Sequence, residues 1–297
     1  MALNIATFKT RTLTAVLFAV VMLTGLFVNS WTFFLLFSIV HFGCWFEYQK
    51  LVAKIDPGYE EITPFHRYGV MLAGWCLMLW FSGNMNIGPI RLHEIGLWLG
   101  IISFFSLPIV ELLFSKQIRP KNIAHSFFGI LYISLSWALF MNLRSMGNLL
   151  MDTNKGSFDY GIIIPAGIVF SIWINDTMAY IVGSLIGKTP LSPISPKKTW
   201  EGTIGGAVLS IIVIALMGKF TTYGQVYSVV DWIVIAAISS IMGTMGDLLE
   251  SKLKRLAGVK DSGSFMPGHG GFLDRFDSLL IAIPFVWVYV KLFIHTA

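Results

Sequence analysis

Long apolar runs recur along the whole chain, separated by short polar segments. A helix needs about 20 mainly apolar residues to cross a bilayer, and nine runs come close to that length. The predicted spans cover residues 12–29, 31–49, 68–83, 93–114, 124–143, 160–186, 203–218, 229–249 and 276–295. The pattern therefore predicts an all-α integral membrane protein with about nine transmembrane helices.

The composition agrees with this pattern and excludes a soluble enzyme. Hydrophobic residues make up 55% of the 297 residues and charged residues only 12%, whereas soluble domains carry about 25% charged residues. We expect one continuous membrane domain, with N-terminal transmembrane helices in residues 1–159 and a C-terminal transmembrane region with polar loops in 160–297. No small-residue cleavage site follows the first run, which we therefore expect to be a retained span and not a signal peptide.

The basic residues predict the orientation. With nine spans, sixteen of the 21 Lys and Arg residues fall on the side of the N-terminus, and cytoplasmic loops collect such residues. The N-terminus is therefore predicted to be cytoplasmic, and the polar loops 187–202 and 250–275 lie on that same face. Because membrane orientation accounts for the net charge of +5, we expect no nucleic-acid partner.

The segment "GSLIGKT", residues 183–189, is not a P-loop. Three residues separate its glycines, where that phosphate-binding motif has four. The segment also ends a predicted helix, and helix C-termini lack the free N–H groups that bind phosphate. We expect Gly183 and Gly187, and likewise Gly202 and Gly206, to form small-residue faces for helix packing.

The segment "LSPISPKKTWEGTIGG", residues 191–206, combines prolines with adjacent lysines and a helix start at Thr199. Prolines keep such a loop extended. Lys197 and Lys198 would then be held beside the N-terminal amides of the helix that Glu201 opens, an arrangement suited to anions. The alternative is an ordinary basic loop followed by a helix cap.

Asp176 interrupts an otherwise apolar span. Inserting a charged carboxylate at such a position costs about 2.5–3.5 kcal/mol, so we expect it to face a polar cavity of the protein. The alternative is that Asp176, with Asn175, caps a break in the helix.

The segment "MGDLLESKLKRLAGVKDSG", residues 245–263, ends the eighth span. Asp247, Ser251 and Lys254 follow one another at helical spacing and share one stripe of the predicted helix. Glu250 is interpreted as a plain surface ion-pair partner of Lys254. Asp247 lies at the edge of the apolar run, where a lone solvated carboxylate is not expected.

The segment "HGGFLDRFD", residues 269–277, contains a glycine pair that can expose backbone N–H groups to an anion. Asp274 and Asp277 share one helix face. Together with Asp247 they bring three carboxylates towards a cationic loop, which predicts bound Mg²⁺. Membrane-edge anchoring is the alternative, although anchors are mostly basic or aromatic. The combination is typical of phosphoryl or nucleotidyl transfer, which depends on positioning and charge neutralisation.

These motifs resemble the C-terminal signature of the phosphatidate cytidylyltransferases, also called CDP-diacylglycerol synthases. Met266 stands where the family has Leu, Ile or Phe, an exchange that keeps size and polarity. The resemblance is strong over residues 160–297, and the N-terminal half adds Glu47 in an aromatic setting. The matching positions are Ser251, Lys254, Arg255, Lys260, Asp261, Gly263, Pro267, His269, Gly270, Gly271, Asp274, Arg275 and Asp277.

The resemblance implies transfer of CMP from CTP to phosphatidate, giving CDP-diacylglycerol and pyrophosphate for phospholipid biosynthesis. It also implies Mg²⁺, with a potassium ion suggested as a second ion, a homodimer, and a cytoplasmic site in the cell membrane if the source is bacterial. The implied metal ligands are Asp247, Asp274 and Asp277, and Lys254 joins them at the catalytic centre. With Asp176 added, the residues expected at the substrates are Lys197, Lys198, Glu201, Ser251, Arg255, Lys260, His269, Gly270, Gly271 and Arg275.

Two alternatives remain open from the sequence. A related CTP-dependent lipid or polyprenol kinase shares parts of the C-terminal pattern and would release CDP instead of pyrophosphate. A cation transporter with an acidic site is the alternative outside the enzymes, and it leaves the bias of the polar loops towards one face unexplained.

Overall fold

Ten α-helices and two short β-hairpins form the described part of the protein. The structure is a computed structural model that describes residues 5–115, 118–149, 159–265 and 270–294. The helices are α1 (Ile5–Phe27), α2 (Ser30–Ile55), α3 (Pro64–Trp80), α4 (Leu92–Phe114), α5 (Pro120–Gly129), α6 (Ser136–Leu149), α7 (Ile163–Ile186), α8 (Trp200–Phe220), α9 (Val229–Leu256) and α10 (Leu273–Tyr289). The hairpins pair β1 (Asn86–Ile87) with β2 (Ile90–Arg91), and β3 (Pro190–Ser192) with β4 (Ser195–Thr199).

Seven helical segments of the described chain are long and apolar enough to cross a membrane. This confirms the prediction of an all-α membrane protein. The count of nine is not confirmed, because the described apolar part of α1 is only Thr12–Phe27 and α3 has 17 residues. The seven segments are Ser30–Ile55, Leu92–Phe114, Pro120–Met146, Tyr160–Ile186, Trp200–Phe220, Val229–Leu256 and Leu273–Ile294.

The chain divides into two compact units. The first unit contains Met1–Asn142 and Leu253–Phe276, and the second contains Leu143–Lys252 and Asp277–Ala297. The helices α6, α9 and α10 each contribute residues to both units. The sequence-based division at residue 159 stays a prediction.

Aromatic side chains form the core of the first unit. Phe37 of α2 stacks on Trp137 of α6 with ring centroids 5.0 Å apart. Trp137 in turn meets Phe276 edge to face at 5.5 Å. All three rings are almost completely buried, and at membrane depth, where lipid is as apolar as the rings, their close van der Waals packing stabilises the contact. Because Phe276 lies in the first turn of α10, this core fixes where that helix begins.

In the second unit, α7 packs closely against α8 through small residues. A Cβ on Gly202 would meet the Cα of Gly183 at 2.9 Å, and a Cβ on Gly206 would meet the Cβ of Ala179 at 2.8 Å. The predicted small-residue packing face is therefore confirmed. The helix α7 ends at Ile186, so the "GSLIGKT" segment lies at a helix C-terminus and does not have the geometry of a P-loop.

The helix α7 runs without interruption through Asn175 and Asp176. The alternative that these residues cap a helix break is therefore wrong. Asn175 is buried, whereas Asp176 is exposed on the surface of the second unit. Its predicted contact with substrate stays a prediction.

Candidate active site

A glycine turn, residues 270–272, leads into α10 in the first unit. Gly270 has φ +82°, a backbone conformation that favours glycine. Asp274, in the first turn of α10, accepts the backbone N–H of Gly271 at 2.8 Å and that of Ser262 at 2.9 Å. The Lys254 ammonium donates to the same carboxylate at 2.6 Å. The structure thus brings together Lys254, Gly271 and Asp274, and the glycine turn binds the Asp274 carboxylate.

Glu47 holds the glycine turn from α2. Its buried carboxylate accepts the backbone N–H groups of Phe272 and Leu273, each at 2.9 Å, and the Ser262 hydroxyl at 2.7 Å. A Cβ on Gly271 would collide with this carboxylate, so the turn needs glycine at that position. Sequence reasoning gave Glu47 no role. The sequence does contain a signal, because Glu47 is an acidic residue within an apolar run. Such residues are costly in a membrane and are functional candidates by default.

Three carboxylates converge in the second unit. Asp247 and Glu250 of α9 and Asp277 of α10 each place an oxygen within 4.8 Å of the others. We call these residues the carboxylate cluster. The Glu250 side chain is fully buried and Asp277 is 6% exposed. Gly246 allows this approach, because a Cβ there would collide with the Asp277 carbonyl.

The carboxylate cluster has the donor set of a Mg²⁺ site. Like charges at such separations repel strongly away from bulk water, so a cation or bound protons must neutralise them. Mg²⁺ prefers oxygen ligands and commonly takes one or two carboxylates together with substrate phosphate. Two of the three predicted metal ligands, Asp247 and Asp277, belong to this cluster. Asp274 is bonded to the glycine turn instead, and its role as a metal ligand stays a prediction.

Glu250 is the cluster residue that sequence reasoning assigned differently. The interpretation of Glu250 as a surface residue is wrong, because its side chain is completely buried. A signal was present in the sequence. Asp247 and Glu250 have the same three-residue spacing as Asp274 and Asp277, and this spacing puts both members of a pair on one helix face.

The β3–β4 hairpin carries a lysine to the carboxylate cluster. The segment predicted as a stiff extended loop is an antiparallel hairpin, in which Pro190 lies opposite Thr199. Lys198 of β4 forms an ion pair with Asp247. Successive side chains of a strand point to opposite faces, and the adjacent Lys197 is exposed. The hairpin therefore delivers one lysine to the cluster, and a role for Lys197 stays a prediction.

Glu201 fastens the base of this hairpin. Its carboxylate accepts the backbone N–H groups of Lys188 and Thr189 at 3.2 Å and the Thr189 hydroxyl at 2.9 Å. The Thr199 hydroxyl accepts the N–H of Gly202 at 3.2 Å and caps α8, which confirms the predicted helix start. These bonds give Glu201 a structural role, and its predicted contact with substrate stays a prediction.

Two more of the predicted substrate residues lie on α9. Ser251 is buried on α9 beside Glu250, and the Arg255 guanidinium donates to the Val259 carbonyl at 3.2 Å. Their substrate contacts stay predictions. The side chains of Arg255, Lys260 and Arg275 are exposed, and His269 lies outside the described residues.

Comparison with known proteins gives a consistent picture. A model of the cytidylyltransferase family matches residues 9–293. The phosphatidate cytidylyltransferase of Staphylococcus saprophyticus is 38% identical over 196 residues, which cover 65% of this chain and 71% of the relative. That of Staphylococcus haemolyticus is 38% identical over 197 residues, covering 64% and 70%. Phosphatidate cytidylyltransferase 4 of Arabidopsis thaliana, a chloroplastic protein, is 45% identical over 117 residues, covering 39% and 29%. The chain belongs to the cytidylyltransferase family.

Proposed function

We propose that the protein is a membrane enzyme that transfers CMP from CTP to phosphatidate, giving CDP-diacylglycerol and pyrophosphate. The observation that carries this proposal is the carboxylate cluster, with Lys198 paired to Asp247, in a chain that matches the cytidylyltransferase family over residues 9–293. Family membership favours cytidylyl transfer over the kinase and transporter alternatives. The relatives named above act on phosphatidate by their names, which supports the same lipid substrate for this chain.

The reaction needs charge neutralisation more than proton transfer. A phosphate oxygen of phosphatidate attacks the α-phosphorus of CTP, and a new P–O bond forms there. The bond between that phosphorus and the oxygen bridging to the β-phosphorus breaks, and pyrophosphate leaves with the electron pair. The second pKa of a phosphate monoester is about 6, so the nucleophile is already ionised at neutral pH. Its obstacle is the negative charge of the triphosphate.

Each unit contains a lysine whose charge reduces this repulsion. Lys254 donates to Asp274 at 2.6 Å and is largely buried. Asp274 holds the Lys254 ammonium group in place, and the positive charge of that group offsets the negative charge of a phosphate. Lys198 is oriented in the same way by Asp247. The glycine turn and the Glu47 carboxylate keep Asp274 in position.

We propose Asp247, Glu250 and Asp277 as the residues that hold Mg²⁺, because their oxygens lie within 4.8 Å of one another. Bound Mg²⁺ neutralises phosphate charge and stabilises a leaving pyrophosphate. Asp274 as a further ligand and a potassium ion as a second ion remain part of the proposal. Both rest on the family resemblance.

We propose that the site faces the cytoplasm, in the cell membrane if the source is bacterial. The excess of Lys and Arg on the side of the polar loops supports this orientation, and CTP is available there. A homodimer is also proposed, on the family resemblance alone.

The test uses the purified protein, phosphatidate vesicles and CTP labelled in its α-phosphate. We expect label to enter the lipid only when protein, phosphatidate and Mg²⁺ are all present. Vesicles of phosphatidylcholine alone serve as the control and should take up no label. A monodisperse, folded protein that incorporates no label under these conditions would refute the proposal.

A further inference from the structure

A cavity of about 780 Å³ lies within the first unit, between α3, α4 and α5. Ligand pockets commonly measure about 300–1,000 Å³. Of the 21 residues that line this cavity, three carry strongly polar side chains, namely His66, Glu111 and Ser126. None of the 21 belongs to the carboxylate cluster or to the glycine turn. The cavity is thus a feature that the proposed reaction does not use.

The cavity opens along the outer face of α4. Its lining residues Phe104, Phe105 and Leu112 are 73%, 62% and 68% exposed. The most apolar stretch of this membrane-length helix has no buried residue in the described structure. At membrane depth, the molecules next to such an opening are lipid chains, and an apolar cavity of this kind does not hold water.

The shape of the cavity suits one alkyl chain. Its lining follows α3 from His66 to Trp80, a rise of about 21 Å at 1.5 Å per residue. The hydrocarbon core of a bilayer is about 30 Å thick, so one leaflet measures about half of that. The cavity is therefore long enough for an acyl chain of one leaflet, with Trp80 at its far end.

The polar side chains form a buried network at the other end. Glu111 lies 3.3 Å from His66 Nδ1, and the Ser126 hydroxyl lies 2.7 Å from His66 Nε2. The Tyr59 hydroxyl bonds to Ser126 at 2.9 Å. Burial raises the pKa of Tyr59, so that hydroxyl keeps its hydrogen. Ser126 and His66 therefore form a hydrogen-bonded polar end of the cavity, which suits the polar ester group of a lipid.

Ser126, His66 and Glu111 follow one another as in the catalytic triad of a hydrolase. The backbone around Ser126, however, suits binding and not catalysis. Ser126 lies within α5 (Pro120–Gly129), where helical hydrogen bonds already use the backbone N–H groups that an oxyanion hole needs. Without such donors the network does not activate a carbonyl group.

We propose that this cavity binds one acyl chain of a membrane phospholipid, with the ester at Ser126 and His66 and the methyl end near Trp80. This site is additional to the proposed transfer reaction. Its occupant is a bilayer lipid that need not be a substrate, so phosphatidylcholine is the probe.

The test places the protein in phosphatidylcholine nanodiscs that contain a phosphatidylcholine with a photoreactive diazirine in one acyl chain. With the diazirine at the methyl end, peptide mapping should find label near Trp80 and Leu97. With the diazirine beside the ester, label should move to the peptides that contain His66 and Ser126. Label distributed equally over the exposed side of α4 for both probes would overturn the proposal.

Variants distinguish labelling inside the cavity from labelling by the surrounding lipid. Gly100 lines the cavity, and a Cβ there would make only an ordinary 3.6 Å contact with Cys76, so we expect Gly100→Leu to reduce the cavity volume. We expect labelling of cavity peptides to fall about tenfold, the loss that corresponds to 1.4 kcal/mol of binding. Leu99→Phe enlarges a neighbouring residue that does not line the cavity, and it should leave labelling unchanged. Ala73→Leu blocks the cavity from α3 if Gly100→Leu does not fold.

Two further results would overturn the proposal. One is equal labelling in the wild type, Gly100→Leu and Ala73→Leu. The other is labelling that occurs in discs with one chain and disappears in discs with two, because a second copy of the chain would then occupy the groove.

Discussion

The Glu47 carboxylate accepts the backbone N–H of Leu273, the first residue of α10, at 2.9 Å. The two residues are 226 positions apart in the sequence. The same carboxylate accepts Phe272 N–H and the Ser262 hydroxyl. A side chain from the second helix of the protein therefore fixes the turn from which Asp274 and Lys254 are arranged. We interpret Glu47 as a positioning residue for the reaction.

Replacing Glu47 by Gln should lower kcat while leaving the fold intact. The amide keeps the shape of the side chain but directs an NH₂ group at N–H donors, so at least one charge-assisted hydrogen bond is lost. Such bonds contribute about 1.5–3 kcal/mol, which corresponds to about a 10- to 100-fold loss of rate. The measurement is CMP incorporation into phosphatidate at saturating CTP. The control is Glu94→Gln, at an exposed glutamate. Equal rates for both variants would contradict the role of Glu47.

Gly271→Ala should be coupled to Glu47. A methyl group on residue 271 would collide with the Glu47 carboxylate, which three hydrogen bonds hold in place. Glu47→Asp withdraws that carboxylate and makes room. In the double variant we expect activity at least equal to that of Gly271→Ala alone, because residues in contact give non-additive effects. If the activity losses of the two single variants simply add in the double variant, the side chains at positions 47 and 271 do not interact.

Lys198→Met should weaken binding of CTP. Lys198 is the hairpin lysine that pairs with Asp247, and its loss removes one cationic donor for phosphate. We expect the KM for CTP to rise about tenfold, from a charge-assisted bond of about 1.5 kcal/mol or more. The pair is partly exposed and contributes little to stability, so the unfolding temperature should change little. Lys252→Met, at an exposed lysine of α9, is the control. An unchanged KM in Lys198→Met would remove Lys198 from the nucleotide site.

Glu250→Gln should change the metal dependence of the reaction. The substitution keeps the volume of the buried side chain and removes one of three clustered charges. Loss of a metal-site group commonly costs about 10–100-fold in metal affinity, so half-maximal activity should require at least about ten times more Mg²⁺. Glu94→Gln again serves as the control. A Mg²⁺ titration that matches the wild type would place the metal elsewhere.

Local sequence patterns predicted much of the fold. Apolar run lengths located the membrane helices, and Thr199 marked the start of α8, because both features act within a few residues. The small-residue spacing of Gly202 and Gly206 correctly predicted a close helix contact. The count of spans was not confirmed, because α3 has only 17 residues and the described apolar part of α1 is only Thr12–Phe27.

The candidate site was harder to predict because tertiary packing selects which carboxylates meet. Asp274 and Asp277 share one helix face, yet Asp274 bonds to the glycine turn while Asp277 joins Asp247. The role of Glu250 depends on its burial, and the contact of Glu47 with the turn joins distant parts of the chain. Neither property can be read from spacing alone.

The most direct test of the proposed reaction measures which product receives each label of doubly labelled CTP. The purified protein is incubated with phosphatidate vesicles, Mg²⁺ and CTP that carries different labels in its α- and γ-phosphates. We expect the α-label in the lipid and an equal amount of γ-label in pyrophosphate, with both reduced together in Glu250→Gln. Transfer of the γ-label to lipid with release of CDP would contradict the account and identify a lipid kinase.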